Sequence, residues 1–426
     1  MKRKWIILKQ RIAEWWLNNI GYHFAAWRQQ RFVKSLKDRN EIRVAFVANN
    51  VAMWKYQSLY DRLQQDPRFK LFVILSPSIS YQHEHRMRDL LAMRTYFSEH
   101  RIDFVDWKIE NGEDAIDIRK AINPDIVFYT QPYHGVYHHK HCFLNFTDRL
   151  LCYYPYAFLQ IQDKYIYDQV YNNIAWKIYL ANDYSRDDAR MLARNKGRNV
   201  VVVGYPSSDL YQNIELPEVW KDDNHSRKRL IWAPHFTVAN DGSAFSRSNF
   251  LYLSDFMLQL ADKYKDKLQI AFKPHPSLLR ELYNHPEWGP KRTDDYYNQW
   301  NSNPNTQLET GDYVALFSGS DAMVHDSGSF IVDYQYFRKP VMYVSQDIAL
   351  SKKYGNDFSK MAYDQHYIGK TYEDIECFIT EVVLEGNDTM ESSRNEFYDK
   401  YLLPPNGRSV ADNTYDDIVK SLNLKQ

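Results

Sequence analysis

The chain has 426 residues, too many for one core of ordinary size and enough for two domains. Lysine and arginine total 54 and aspartate and glutamate total 54, so net charge gives no support for a nucleic-acid-binding role. Hydrophobic residues at 44% and charged residues at 25% describe a folded globular chain, and no apolar run reaches the roughly 20 residues of a membrane span. Three cysteines, Cys142, Cys152 and Cys377, follow no paired or metal-ligand spacing, which suits a reducing cytosol.

Residues 1–40 carry ten of the basic residues against only Glu14 and Asp38, and four of the eleven tryptophans: Trp5, Trp15, Trp16 and Trp27. Trp5, Leu8, Ile12, Trp15 and Trp16 fall on one face of a helix. The apolar stretch is too short for a signal peptide and no small-residue cleavage site follows it. Basic residues flanking a tryptophan-rich face predict a helix lying on an anionic membrane surface; a helix packed on the protein itself is the alternative.

From residue 41 apolar runs alternate with amphipathic stretches. Strands are expected at 42–47, 71–75, 126–129, 150–154, 178–181 and 200–203, with helices at 54–65 and 85–100 between them. Such repetition means a parallel sheet with crossover helices, and ligands collect beyond the carboxyl ends of its strands. Pro132 and Gly135 break the chain after the third of these strands and present His134 at its exit. An imidazole titrates near neutrality, so His134 is a candidate general base; a structural loop histidine is the alternative. His138, His139 and His141 follow, but no carboxylate or cysteine completes a recognisable ligand spacing, and no metal or other cofactor is expected.

A polar stretch at 211–228 reads as the linker between an amino-terminal domain, 41–210, and a carboxy-terminal one, 229–400, with a helical tail at 401–426. The second domain repeats the alternation. Its strand at 230–233 exits at Pro234-His235, its strand at 268–272 exits at Lys273-Pro274-His275-Pro276, and its strand at 322–324 exits at His325-Asp326-Ser327-Gly328-Ser329. A helix at 250–263 follows the first exit, one at 278–283 follows the second with Ser277 as its cap, one at 330–337 follows the third, and a last strand is expected at 341–344. Three neighbouring exits thus each carry a histidine. Small residues at a helix start expose backbone N–H groups, and with Lys273 beside them they suit a diphosphate. An ordinary capped helix is the alternative at any single exit.

Two α/β domains of Rossmann type, facing each other across a cleft, with the second binding a nucleotide diphosphate, describe the GT-B architecture. Four segments narrow the field. Tyr133-His134-Gly135 is similar to a Trp-His-Gly motif, and Gly204-Tyr205-Pro206 with Asp209 is similar to Gly-Tyr-Pro-Arg-Asn-Asp. Trp232-Ala233-Pro234 is similar to Tyr-Ala-Pro-Thr, and Asp326-Ser327-Gly328-Ser329 with Asp333 is similar to Asp-Tyr-Ser-Ser followed by a Phe-Asp pair. In these the chain resembles the bacterial CDP-glycerol glycerophosphotransferases, the teichoic-acid and capsule polymerases and primases. Gly328 and Ser327 depart from the motif, where the family has serine and tyrosine, and His235 stands where many members have threonine.

The resemblance implies transfer of glycerol or ribitol phosphate from a CDP-linked donor to a hydroxyl of a polysaccharide, teichoic-acid-like or lipid-linked acceptor, with release of CMP. His134 is then the base on the acceptor side and His275 acts on the donor phosphates. Lys273, His235, Asp326, Ser327, Gly328, Ser329 and Asp333 complete the donor site. The expected place is the inner face of the cell membrane, peripherally bound through residues 1–40. Two other readings stay open: a GT-B glycosyltransferase using a nucleotide-sugar, and a non-catalytic nucleotide-binding module of surface-polymer assembly.

Overall fold

The computed structural model describes residues 2–37, 39–107, 115–133, 135–212, 216–221, 226–238, 248–311 and 313–424, with side chains from residue 8 onward. The chain forms two compact units, Met1–Asp209 with Pro404–Gln426, and Leu210–Leu403.

The first unit is built on a seven-stranded parallel sheet: β1 (Ile42–Ala48), β2 (Phe69–Leu75), β3 (Phe104–Val105), β4 (Ile126–Tyr129), β5 (Leu150–Tyr153), β6 (Lys177–Leu180) and β7 (Val200–Val202). Their spatial order is β3-β2-β1-β4-β5-β6-β7. Side chains alternate across a strand, so a sheet covered on both faces needs apolar residues at every position. β1 meets this requirement: Val44, Phe46 and Ala48 enter one core while Ala45 and Val47 enter the other. Every strand expected from sequence is present within a few residues. The short strand β3 was not foreseen, because two residues carry no period.

The second unit holds a six-stranded parallel sheet: β8 (Lys228–Ala233), β9 (Leu268–Phe272), β10 (Thr306–Leu308), β11 (Ala322–His325), β12 (Val341–Val344) and β13 (Tyr367–Gly369). The order is β10-β9-β8-β11-β12-β13; β10 and β13, three residues each, were not foreseen, and β13 follows the strand at 341–344 that was expected to be the last. Leu230 and Trp232 face one core, Ile231 and Ala233 the other. Trp232 is fully buried and stacks between Phe250 and Phe272 at 5.8 and 5.0 Å. In each sheet the order reverses beside the first strand of the unit, between β1 and β4 and between β8 and β11. The crevice at such a reversal is where doubly wound sheets take their ligands.

The N-terminal helices, Lys2–Asn19 and Ala25–Leu36, lie on the first unit. Leu17, Ala25 and Leu36 are buried in its cores. The same helices and the turn between them leave Leu8, Ile12, Trp15, Trp16, Ile20, Phe24 and Trp27 between 41% and 63% exposed. Among the described residues no helix is long and apolar enough to cross a membrane.

The C-terminal helix Val410–Ser421 returns to the first unit, where Val410, Ile418 and Val419 join its core. The Gly204–Asp209 segment receives it. Gly204 has φ +103, and a Cβ there would sit 2.8 Å from Val410 Cγ2 and 2.9 Å from Pro404 Cβ. The Asp209 carboxylate accepts the backbone N–H groups of Val410 and Ala411 at 2.8 and 2.9 Å, satisfying donors that the helix start leaves open. This segment of the motif therefore docks a helix. Asp209→Ala is expected to lower stability by about 1–2 kcal/mol and to speed proteolysis around residue 404, as read by denaturant melts and limited digestion. Unchanged melts and an intact tail contradict that role.

Candidate functional site

The site in the second unit follows from strand register. Trp232 pairs with Phe272, and Ala233 pairs with His325. The β8–β9 ladder continues past the strand ends, with the Lys273 N–H donating to the Trp232 carbonyl at 2.8 Å and the His275 N–H donating to the Pro234 carbonyl at 3.1 Å. His235 and His275 are thereby brought side by side, ring centroids 5.2 Å apart, with the Phe236 ring 4.5 Å from His275.

Asp326 holds this arrangement. Its buried carboxylate accepts the backbone N–H of His235 at 2.6 Å and, through the other oxygen, the backbone N–H and side-chain amide of Asn249. The Asn249 amide also donates to the Val344 carbonyl at 3.1 Å, and Ser248 Oγ donates to the His235 carbonyl at 2.7 Å. The ends of β8, β11 and β12 and the start of the helix Phe250–Lys263 are thus tied to one carboxylate. Burial pushes Asp326 up to about 6, against the pull of the N–H groups it accepts. Asp326 was expected to touch the donor; its oxygens are taken up by the protein, and it acts by positioning. Asn249 went unnoticed in the sequence. Its place at a helix start after a polar loop was the only signal.

His275 is half-buried. Burial, and then the Lys273 ammonium, lower it to about 4, so its imidazole is neutral near pH 7. Its Nδ1 accepts the Ser277 N–H at 3.1 Å, which fixes the proton on Nε2 and leaves that N–H as a donor. Ser277 was expected to cap the next helix, but its side chain makes no cap bond, and the His275 ring takes its N–H instead. Lys273 is buried and donates to the Gly311 carbonyl at 2.7 Å, so it contributes charge from beneath the surface.

The turn after β11 divides. Ser327 is buried, Gly328 is partly accessible and Ser329 is exposed. The helix expected over 330–337 is an α-turn, Phe330–Asp333, followed by a 3₁₀ turn, Tyr334–Phe337. Asp333 is buried and accepts the Tyr313 hydroxyl at 3.4 Å. His325 departs from expectation. It is 1% exposed, donates from Nδ1 to the Ser327 carbonyl at 3.1 Å, and lies 5.3 Å from the buried His366 ring. Two histidines, not three, therefore reach the ligand side of the exits.

In the first unit, His134 lies outside the described residues. Its neighbours sit at the β4 exit, on the crevice between β1 and β4. Gly135 has φ +75, which only glycine adopts easily, and nothing lies within 4 Å of a Cβ there. Thr130 donates to the Asn49 side chain at 2.6 Å, joining the exits of β4 and β1. His141 is structural: it is buried, with Nδ1 on Ser76 Oγ and Nε2 on the Ile116 carbonyl, both at 2.8 Å. Among the described residues no three histidine, cysteine or acidic side chains gather as a metal site.

Buried imidazoles make acid stability a test of these environments. Burial holds His141 and His275 at about 4 and His366 at about 3, while the unfolded chain takes up protons near 6.5. Their contribution is complete above about pH 6.5 and is lost as pH falls toward the folded values. Asp326, raised to about 6, and Asp89 and Asp209, also raised by burial, work in the opposite sense, while buried His325, lowered well below its usual value, adds to the histidines. The melting temperature is expected to fall steadily from pH 7 to pH 4.5; a flat or rising profile contradicts the burial of these rings.

The Bacillus subtilis (strain 168) minor teichoic acid biosynthesis protein GgaB is 23% identical over 220 residues, which are 48% of this chain and 22% of GgaB. The chain thus spans under a quarter of that relative's length. The S. aureus MnaA–UDP co-structure matches with TM-score 0.57 at 16% identity, covering 91% of this chain and 98% of that one. A structure of the wall teichoic acid polymerase TagF matches with TM-score 0.56 at 13% identity, covering 95% and 98%. These likenesses show the fold, two parallel α/β units of GT-B type. The model of one family, CDP-glycerol:poly(glycerophosphate) glycerophosphotransferase, matches residues 160–420, from the segment between β5 and β6 through the whole second unit to the docked C-terminal helix, and the chain belongs to that family.

Proposed function

We propose that the chain transfers an alditol phosphate, glycerol or ribitol phosphate, from a CDP-linked donor to a hydroxyl of a teichoic-acid-like, polysaccharide or lipid-linked acceptor, releasing CMP. The observation that carries this reading is the convergence of His235, His275 and the Gly328–Ser329 turn at the β8–β11 reversal of a chain in this family. A neutral Nε2–H on His275 donates to a phosphate oxygen, and the charge of the diphosphate raises that imidazole toward the cationic form as the transition state develops. The exposed hydroxyl of Ser329 and the backbone at Gly328 supply further donors. Asp333, buried and accepting the Tyr313 hydroxyl, supports this turn from beneath. The acceptor hydroxyl attacks the β-phosphorus, His134 takes its proton, and the bond to the bridging oxygen breaks to release CMP.

Incubation with CDP-glycerol, CDP-ribitol and UDP-sugars tests the reaction by its leaving group. CMP from a CDP-alditol supports it; UDP alone marks a sugar transferase, and no turnover marks a binding module. The two histidines should then fail differently. His275→Ala is expected to weaken donor binding tenfold or more and to lower turnover, because its contact exists before and during transfer. His134→Ala should leave donor affinity within about twofold and cut turnover roughly 10²- to 10⁴-fold. Calorimetry and CMP release check both, and loss of donor binding in His134→Ala with none in His275→Ala contradicts the assignment.

The enzyme is further proposed to sit on the inner face of the membrane through its N-terminal helices. The exposed Ile12, Trp15 and Trp27, 56–63% accessible, stand beside the basic excess of residues 1–40, which suits an anionic lipid surface. Each basic residue near such a surface contributes about 1 kcal/mol, and tryptophan favours the interface. Because Leu17 and Leu36 pack on the first unit, point substitutions test this better than truncation. The triple variant Ile12→Ser, Trp15→Ser, Trp27→Ser is expected to fold normally and to stop sedimenting with phosphatidylglycerol vesicles. Sedimentation equal to wild type contradicts membrane docking by this face.

A further inference from the structure

Beside His275, on the flank away from the β8–β11 reversal, the second unit carries a cavity of about 610 Å³. It lies beyond the ends of β9 and β10, against the helices Leu278–Asn284 and Gly289–Ser302. His275 forms one wall, and Tyr283, Asp294, Tyr297, Asn298 and Thr310 supply the polar part of the rest. Among the described residues lining it there is no lysine or arginine, and one carboxylate is present, so the cavity is unsuited to a phosphate.

Its chemistry fits hydroxyl groups. Asp294 and Asn298 stand one turn apart on the same helix face and are exposed. The Tyr283 hydroxyl donates to Asp294 Oδ1 at 2.6 Å, which orients the carboxylate. Tyr297 is only 8% exposed, and its hydroxyl has no hydrogen-bond partner among the described residues. A buried hydroxyl left unpaired costs free energy that a bound polar group recovers. A carboxylate and an amide together accept from and donate to neighbouring hydroxyls, and tyrosine rings cover the C–H faces of a carbon chain or sugar.

We propose that this cavity is the subsite for an uncharged, hydroxyl-rich unit adjoining the phosphate held by His275. The inference rests on the transfer reaction proposed above. Two sources share that chemistry, the alditol of the donor and a polyol unit of the acceptor chain.

The full-length double variant Asp294→Ala, Asn298→Ala separates them, with CDP, CDP-glycerol and a synthetic glycerol-phosphate oligomer as probes. Both positions are exposed, so melts should match wild type. If the donor alditol occupies the cavity, wild type binds CDP-glycerol more tightly than CDP, and the variant loses about tenfold in CDP-glycerol affinity while CDP affinity is unchanged. If the acceptor occupies it, donor binding is unchanged, KM for the oligomer rises about tenfold and kcat is kept. Either result supports the subsite. Tyr297→Phe should move the same constant in the same direction. Wild-type turnover with all constants unaltered in the variants overturns the subsite alone. A wild-type chain that neither binds CDP-glycerol nor releases CMP overturns the transfer reading and the subsite with it.

Discussion

One buried carboxylate organises the end of the second sheet. Asp326 accepts N–H groups from His235 and from Asn249, which are far apart in sequence, and so fixes the β8 exit and the start of the helix Phe250–Lys263 against the β11 exit. A carboxylate buried this deeply is costly unless its oxygens are satisfied, and here both are. This tie fixes the His235 backbone from the β11 side, as the β9 ladder and the Ser248 hydroxyl fix it from theirs. The ladder bonds of Lys273 and His275 to Trp232 and Pro234 then set the second histidine against the first.

The first unit uses the same construction without a carboxylate. Asn49 at the β1 exit and Thr130 at the β4 exit are joined by a side-chain hydrogen bond, and the Tyr137 hydroxyl donates to the Val47 carbonyl at 3.2 Å. Past this exit, Gly135 adopts φ +75, a conformation that glycine favours. In both units short loops leave the sheet from exits anchored by buried polar groups at a reversal of strand order, an arrangement that lets loop residues vary while the sheet stays constant.

Much of this was legible in the sequence because parallel strands buried on both faces read as continuous apolar runs. Those at 126–129, 268–272 and 341–344 have the same bounds in the structure. The exits were legible for the same reason, since proline, glycine and histidine interrupt the runs abruptly. What stayed hidden was direction. Nothing in His325-Asp326-Ser327 says that the histidine turns inward to the Ser327 carbonyl, that the aspartate reaches back 77 positions to Asn249, or that Ser327 is buried while Ser329 is not. Side-chain orientation at a strand end is set by partners from other segments, and periodicity carries no information about them. The Gly204–Asp209 segment shows the converse: its pattern was recognised, and only the returning C-terminal helix explains it as a docking site.

The central claim is that the donor diphosphate binds at the β8–β11 reversal of the second unit. A crystal structure of the chain soaked with CDP-glycerol tests it most directly. The account predicts phosphate oxygens within hydrogen-bond distance of His275 Nε2 and of the Gly328–Ser329 turn, with Asp326 still bound to His235 and Asn249. Diphosphate density in the first unit, or in the second unit away from His235 and His275, would contradict it.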